Sequence, residues 1–151
     1  MTSTTDQRFL LDTNALISLV SQLPNREVGS DLRQLLGASA SLCITQQSLF
    51  EFWTVFTRPV SVNGLGGDPS EAARIFGRLR AVFEVLADPP DLLDRWLAIC
   101  VQHQINGRPA HDARQVAVAD AHGITQVVTS DPGHFQRFSH LTIINPKSGS
   151  N

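Results

Sequence analysis

Four acidic residues stand where chemistry could gather: Asp12 after the apolar run Phe9-Leu10-Leu11, Glu51 in Phe50-Glu51-Phe52-Trp53, Asp112 after His111, and Asp131 after Val127-Val128-Thr129-Ser130. Carboxylates that converge in one crevice repel one another and raise each other's pKa unless a cation neutralises them. A hard divalent cation with oxygen ligands meets that need. Magnesium keeps several waters and takes one or two direct carboxylates beside a substrate phosphate, and manganese accepts similar oxygen sites. Such a centre supports phosphodiester hydrolysis: it polarises the phosphoryl oxygen, lowers the pKa of the attacking water and stabilises the leaving oxygen.

Each acid also has a local reading. Asp12 sits on a strand-to-helix turn, where an oxygen of Asp12 or Thr13 caps the helix. Asp112 stands between the loop Asn106 to His111 and a helix expected over Ala113 to His122, which suits an N-cap. Asp131-Pro132 repeats the helix starts Asp68-Pro69 and Asp88-Pro89. Glu51 falls nearly opposite the expected core stripe Leu49, Phe52, Trp53 and Phe56, a solvated position on the helical wheel. Phe50 and Val55 nevertheless imply that a second face is covered, and that face could border a crevice.

Short apolar strands alternating with helices position these residues, the pattern of an α/β domain with a mostly parallel central sheet. Strands are expected at Arg8 to Leu11, Leu42 to Thr45, Glu84 to Ala87, Gln126 to Thr129 and Thr142 to Ile144. Helical spacing recurs at Ala72, Ile75, Phe76, Leu79, Val82 and Phe83, and again at Leu92, Leu93, Trp96, Leu97 and Cys100. In an open parallel sheet ligands bind beyond the carboxyl ends of the strands. Asp12 and Asp131 therefore point into one crevice if their strands are neighbours. Asn63-Gly64-Leu65-Gly66-Gly67 follows a helix and lacks the Lys-Ser/Thr of a phosphate loop, so it reads as a flexible connector.

A chain of 151 residues, 42% of them hydrophobic, supports one domain with a sizeable core. Its formal charge of -2 provides no global basic field. Eleven of the twelve cations are Arg, a residue suited to fork-like phosphate contacts where several converge. Arg108, Arg114 and Arg137 flank the acids in sequence and are candidates for backbone phosphate contacts, with solvated surface arginine as the alternative for each. Cys43 and Cys100 lie in apolar contexts without metal-ligand spacing and read as buried small hydrophobes. No apolar run approaches membrane-spanning length, so a cytoplasmic protein is expected.

In order and interval, Leu11-Asp12-Thr13-Asn14, Glu51 on the helix after the second strand, His111-Asp112-Ala113-Arg114 and Thr129-Ser130-Asp131 with His134-Phe135 resemble the PIN domain. Thr45 to Trp53 and Arg58-Pro59 through Gly66 look like one branch of its VapC-type toxins. The likeness spans about Phe9 to Pro146, a domain over residues 8–146 with flexible ends at 1–7 and 147–151. It implies a metal-dependent endoribonuclease that leaves a 5′-phosphate. Magnesium or manganese would be held by Asp12, Asp112 and Asp131, with Glu51 completing the acidic cluster and Asn14 and Thr129 orienting carboxylates or the catalytic water. It implies an RNA substrate, an inhibitory antitoxin and a homodimer. Many relatives carry an acid where this chain has His134, and this branch often has Asn at the position of Asp131. His134 itself reads as a surface residue, and His111 as a loop residue rather than a proton shuttle.

Three other readings compete. A haloacid-dehalogenase-like phosphatase needs a second Asp at Asn14 and a lysine near the site, and the sole lysine is Lys147. A receiver domain fails for related reasons. A non-catalytic PIN-like binding module has no use for four retained carboxylates, which are costly to cluster.

Overall fold

In the computed structural model, which describes residues 7–21 and 30–146, Phe9, Leu10 and Leu11 are buried from both sides. They belong to β1 (Arg8–Leu11), the central strand of a five-stranded parallel sheet. Its neighbours are β2 (Ser41–Thr45) and β4 (Gln126–Val128), with β3 (Glu84–Leu86) and β5 (Thr142–Ile144) at the edges, in the order β3-β2-β1-β4-β5. Leu10 is registered with Cys43 on one side and Val127 on the other. Successive side chains of a strand point to opposite faces. Phe9 and Leu11 accordingly join one core cluster, and Leu10 joins the other.

Helices cover both faces, which is why every strand reads as a continuous apolar run rather than an alternation. The Phe9/Leu11 face packs against α1 (Thr13–Val20), α3 (Gln46–Thr57) and α4 (Pro69–Val82) through Leu16, Leu49, Phe52, Ile75 and Leu79. A short α2 (Ser30–Leu36) adds Leu32 to this cluster. The Leu10 face packs against α6 (Pro109–Ala121) and the segment after β4, through Ala113, Val116, Phe135 and Phe138, with Trp96 of α5 (Leu92–Gln102) against its edge. Burying one such Leu or Phe side chain contributes roughly 1.5–3 kcal/mol.

The chain first builds outward from β1 through β2 to β3, then returns to the other side of β1 as β4. The boundary between β1 and β4 is a topological switch point, and Asp12 and Asp131 follow those two strands.

The five strands lie where the sequence places them, with β2 starting one residue earlier and β3 and β4 each ending one residue earlier than expected. Several local expectations are corrected. Helix α6 starts at Pro109, whose fixed φ suits the first helical position, so Asp112 lies in the first turn and Arg108 holds the cap position. Asp88 caps nothing: α5 starts at Leu92 with Asp91 at its cap. Trp53 is 37% exposed rather than core, and Leu93 and Leu97 face solvent at 77% and 56%. Cys43 is buried, its thiol pushed up to about 11 by burial and by Glu84, whereas Cys100 is only half-buried.

The glycine-rich connector is tied down by its backbone. The N–H groups of Leu65, Gly66 and Gly67 donate to the carbonyls of Val55, Arg58 and Phe56, supplying partners that the end of α3 lacks. A Cβ on Gly64 would overlap the Arg58 carbonyl, and one on Gly67 would overlap the Phe56 ring. Among the described residues no helix is long and apolar enough to cross a membrane. Residues 1–6 and 147–151, most of the two ends expected to be flexible, lie outside the described residues.

Candidate active site

Asp12 is only 3% exposed, and both of its carboxylate oxygens are engaged. Its Oδ1 accepts the Thr13 N–H at 2.8 Å, so it caps α1. Its Oδ2 accepts the Thr129 hydroxyl at 3.0 Å. Capping and site formation are thus the same geometry: the turn that lets Asp12 cap α1 also places its carboxylate at the switch point. Burial pushes its pKa up, while the bonds from Thr129 and the Thr13 N–H pull it down.

Asp12, Glu51 and Asp112, carried by the β1–α1 turn, α3 and α6, line one cavity of about 740 Å³. Burial pushes Asp112 up to about 6; the negative charges of Asp12 and Glu51 push the same way, against His134 and His111. Glu51 lines the cavity beside Thr54 and Val55 of α3, whereas Phe50 is 63% exposed and is not covered as expected. The wheel position that read as solvated is the crevice wall.

Asp131 stands apart from the lining residues, its side chain 52% exposed, with Oδ2 3.1 Å from His134 Nε2. The other ring nitrogen of His134 lies 3.8 Å from Asp112 Oδ2. His134 is therefore more than a surface residue: exposed on one side, it bridges the two later acids. Asn14 lines the cavity, and Thr129 lies beneath it, holding Asp12 and accepting the Asp131 N–H at 3.0 Å.

Of the three nominated arginines, Arg108 and Arg137 line the cavity. Arg114 does not; it forms an ion pair with Asp88 at 2.9 Å and donates to Gln47. The sequence reading missed Arg58, which also lines the cavity; its Nε is buried without a hydrogen-bond partner among the described residues. It missed a buried polar floor as well. Thr13 Oγ1 lies 2.9 Å from Ser48 Oγ and accepts from Gln115 Nε2 at 3.2 Å, while Thr45 Oγ1 accepts the Ser48 N–H at 3.1 Å. The available signal was Gln47-Ser48 and Gln115 in otherwise apolar helices, since buried polar groups must find partners.

The carboxylate oxygens suit a hard cation. Among the described residues no three acidic, histidine or cysteine groups are arranged to enclose an ion, so a cation here would rely on water and substrate to complete its shell.

A five-stranded parallel sheet with helices on both faces and an acidic cavity at its switch point defines an α/β domain built around a carboxylate site. The PIN domain family model matches residues 9–141, nearly nine-tenths of the chain, and the protein belongs to that family. Solved structures share the fold. VapBC-1 from nontypeable Haemophilus influenzae is 16% identical, with a TM-score of 0.66 over 93% of this chain and 99% of that one. DNA-bound VapBC from Salmonella typhimurium is 20% identical, with a TM-score of 0.67 over 93% and 98%. VapC20 from Mycobacterium tuberculosis, described as a Sarcin-Ricin loop cleaving toxin, is 22% identical, with a TM-score of 0.54 over 79% and 86%. No curated protein matches the chain. Family membership replaces the phosphatase and receiver alternatives.

Proposed function

We propose that this protein is a metal-dependent endoribonuclease, the toxin of a toxin-antitoxin pair, acting in the cytoplasm. The observation that carries the reading is the convergence of Asp12, Glu51 and Asp112 from three separate elements on one cavity that also bears Arg58, Arg108 and Arg137. Acids alone would repel a polyanion; arginines alone would bind it without cutting. Together they fit a phosphodiester held beside a cation.

In this reading Asp12 and Asp112 would hold magnesium or manganese, and Asp131, paired with His134 outside the cavity lining, would be the outermost of the three acids. The bound ion supplies charge neutralisation and activation of water. Thr129 and the Thr13 N–H fix both oxygens of Asp12, so its carboxylate is presented in one orientation. Glu51 would complete the acidic cluster around the ion, and Asn14, facing the same space, would orient the attacking water. Arg58, Arg108 and Arg137 hold the RNA backbone. The VapBC structures are complexes in name, and the same reading gives this chain an antitoxin and a homodimer. Leu93, Leu97 and Val101 on α5, and Phe50 and Trp53 on α3, are exposed apolar surfaces available to protein partners.

The test is manganese titration by calorimetry on the wild type and Asp112→Asn, followed by incubation of both with total RNA in magnesium, in manganese and in EDTA. Saturable binding lost in the variant, with cleavage that requires the ion and Asp112, supports the reading. Absence of binding both alone and with RNA present would favour a non-catalytic module.

A further inference from the structure

Behind the cavity a chain of hydrogen bonds runs through three elements and ends on Glu51. Asp88 Oδ2, in the β3 to α5 loop, accepts from Arg114 Nη2 of α6 at 2.9 Å. Arg114 Nη1 donates to Gln47 Oε1 at 3.1 Å. Gln47 Nε2, on α3, donates to Glu51 Oε1 at 2.9 Å and to the His111 carbonyl at 3.1 Å.

The direction of this chain follows from the chemistry of its members. A guanidinium only donates, a backbone carbonyl and an ionised carboxylate only accept, and the Gln47 amide alone can turn either way. Its flipped orientation would set NH2 against the Arg114 guanidinium and oxygen against both the His111 carbonyl and Glu51. Arg114 therefore compels Gln47 to present its N–H groups to Glu51. Asp88 in turn holds Arg114, and Gln47 is buried, with 8% exposure, so the arrangement has little freedom. Because the same Nε2 also holds the carbonyl next to Asp112, one amide sets Glu51 relative to Asp112.

We propose that Gln47 is a positioning residue for Glu51, oriented by Arg114 and, through it, by Asp88. Arg114 serves the site from behind instead of holding substrate phosphate. The inference rests on the metal-dependent reading above and adds the device that holds one of its acids.

The experiment is manganese titration of the full chain by calorimetry, comparing wild type, Gln47→Met, Arg114→Met, Glu51→Gln and the Glu51→Gln/Gln47→Met double variant, with circular dichroism confirming the fold. Loss of an outer hydrogen-bond partner typically weakens metal affinity 10–100-fold, and about ten-fold is expected for Gln47→Met and somewhat less for Arg114→Met. If Gln47 acts through Glu51, Gln47→Met adds nothing once Glu51→Gln is present; a general packing defect would weaken binding equally in both backgrounds. Should Gln47→Met fail to fold, Arg114→Met, altered at a side chain 29% exposed, asks the same question in the same two backgrounds. Wild-type affinity in both single variants, or an undiminished loss in the Glu51→Gln background, overturns the positioning role alone. Failure of the wild type to bind manganese both alone and with RNA present overturns the functional reading, and the positioning role with it.

Discussion

The Thr129 hydroxyl donates to Asp12 Oδ2 at 3.0 Å and accepts the Asp131 N–H at 3.0 Å, so one side chain ties the ends of β1 and β4 together. Thr129 is fully buried, and its partner Asp12 is buried as well. Thr129→Val keeps the shape and removes both bonds. It should cost about 1–3 kcal/mol in urea unfolding, the usual penalty for stranding buried polar groups. Asp12, deprived of a bond that lowers its pKa, should also bind manganese more weakly, and Thr129→Ser should restore most of both properties. Unchanged stability and affinity in Thr129→Val would refute this role.

Asp112 makes the stability of the metal-free protein depend on pH in a defined direction. Its carboxyl is pushed up from 3.8 to about 6 in the folded chain. Below about pH 4 it is protonated in both states and has no effect; as pH rises toward 6 the unfolded chain ionises first, so stability is lost, and above 6 the full penalty is present. Asp112→Asn should therefore raise Tm at pH 7.5 in EDTA by roughly 2–6 °C, on the order of 1–2 kcal/mol for a partly exposed group. At pH 4 the two proteins should melt together. A variant less stable than wild type at pH 7.5 would show that Asp112 is held by favourable contacts instead.

RNA binding should separate the arginines. In an Asp112→Asn background that prevents turnover, Arg137→Ala and Arg108→Ala should each weaken RNA binding and lower the log-log salt slope by about 0.7, the value for one phosphate contact on a single strand. Arg114→Met should leave the salt slope unchanged, since Arg114 is paired with Asp88. Filter binding between about 50 and 200 mM salt measures both. Equal slopes for Arg137→Ala and the parent would remove Arg137 from the substrate path.

Two glycines should respond oppositely to alanine. At Gly64 the new methyl meets the Arg58 carbonyl, a backbone atom that cannot swing aside, so Gly64→Ala should destabilise by about 1–3 kcal/mol or more. At Gly77, inside α4, nothing lies within 4 Å of the added Cβ. Gly77→Ala should stabilise by about 0.5–1 kcal/mol through helix propensity. Thermal unfolding decides both signs.

The strands and the carboxylate positions were legible because they are written in local chemistry. Phe9-Leu10-Leu11 and Val127-Val128 are short apolar runs that only a doubly covered strand accommodates, and an acid directly after such a run lies at the strand's carboxyl end by construction. What misled was also local. Asp88-Pro89 looks like Asp68-Pro69, yet Asp68 caps its helix through the Glu71 N–H while Asp88 turns to Arg114. Trp53, Leu93 and Leu97 sit at core spacing on their helices, but periodicity reports that a face is apolar, not that a neighbour covers it.

By itself, then, the sequence determined the order of strands and helices, the acids at the strand ends and on α3, and the family to which the set belongs. Only the tertiary structure decided which polar groups meet. Arg114 joined Gln47 instead of the cavity, Arg58 entered it, His134 came between Asp112 and Asp131, and Glu51 found a crevice where the wheel showed solvent. Hydrophobic burial is set by side-chain type and period and can be read along the chain. Hydrogen bonds and ion pairs depend on ångström-scale distances between residues up to 117 positions apart, which exist only once the sheet has placed β1 beside β4.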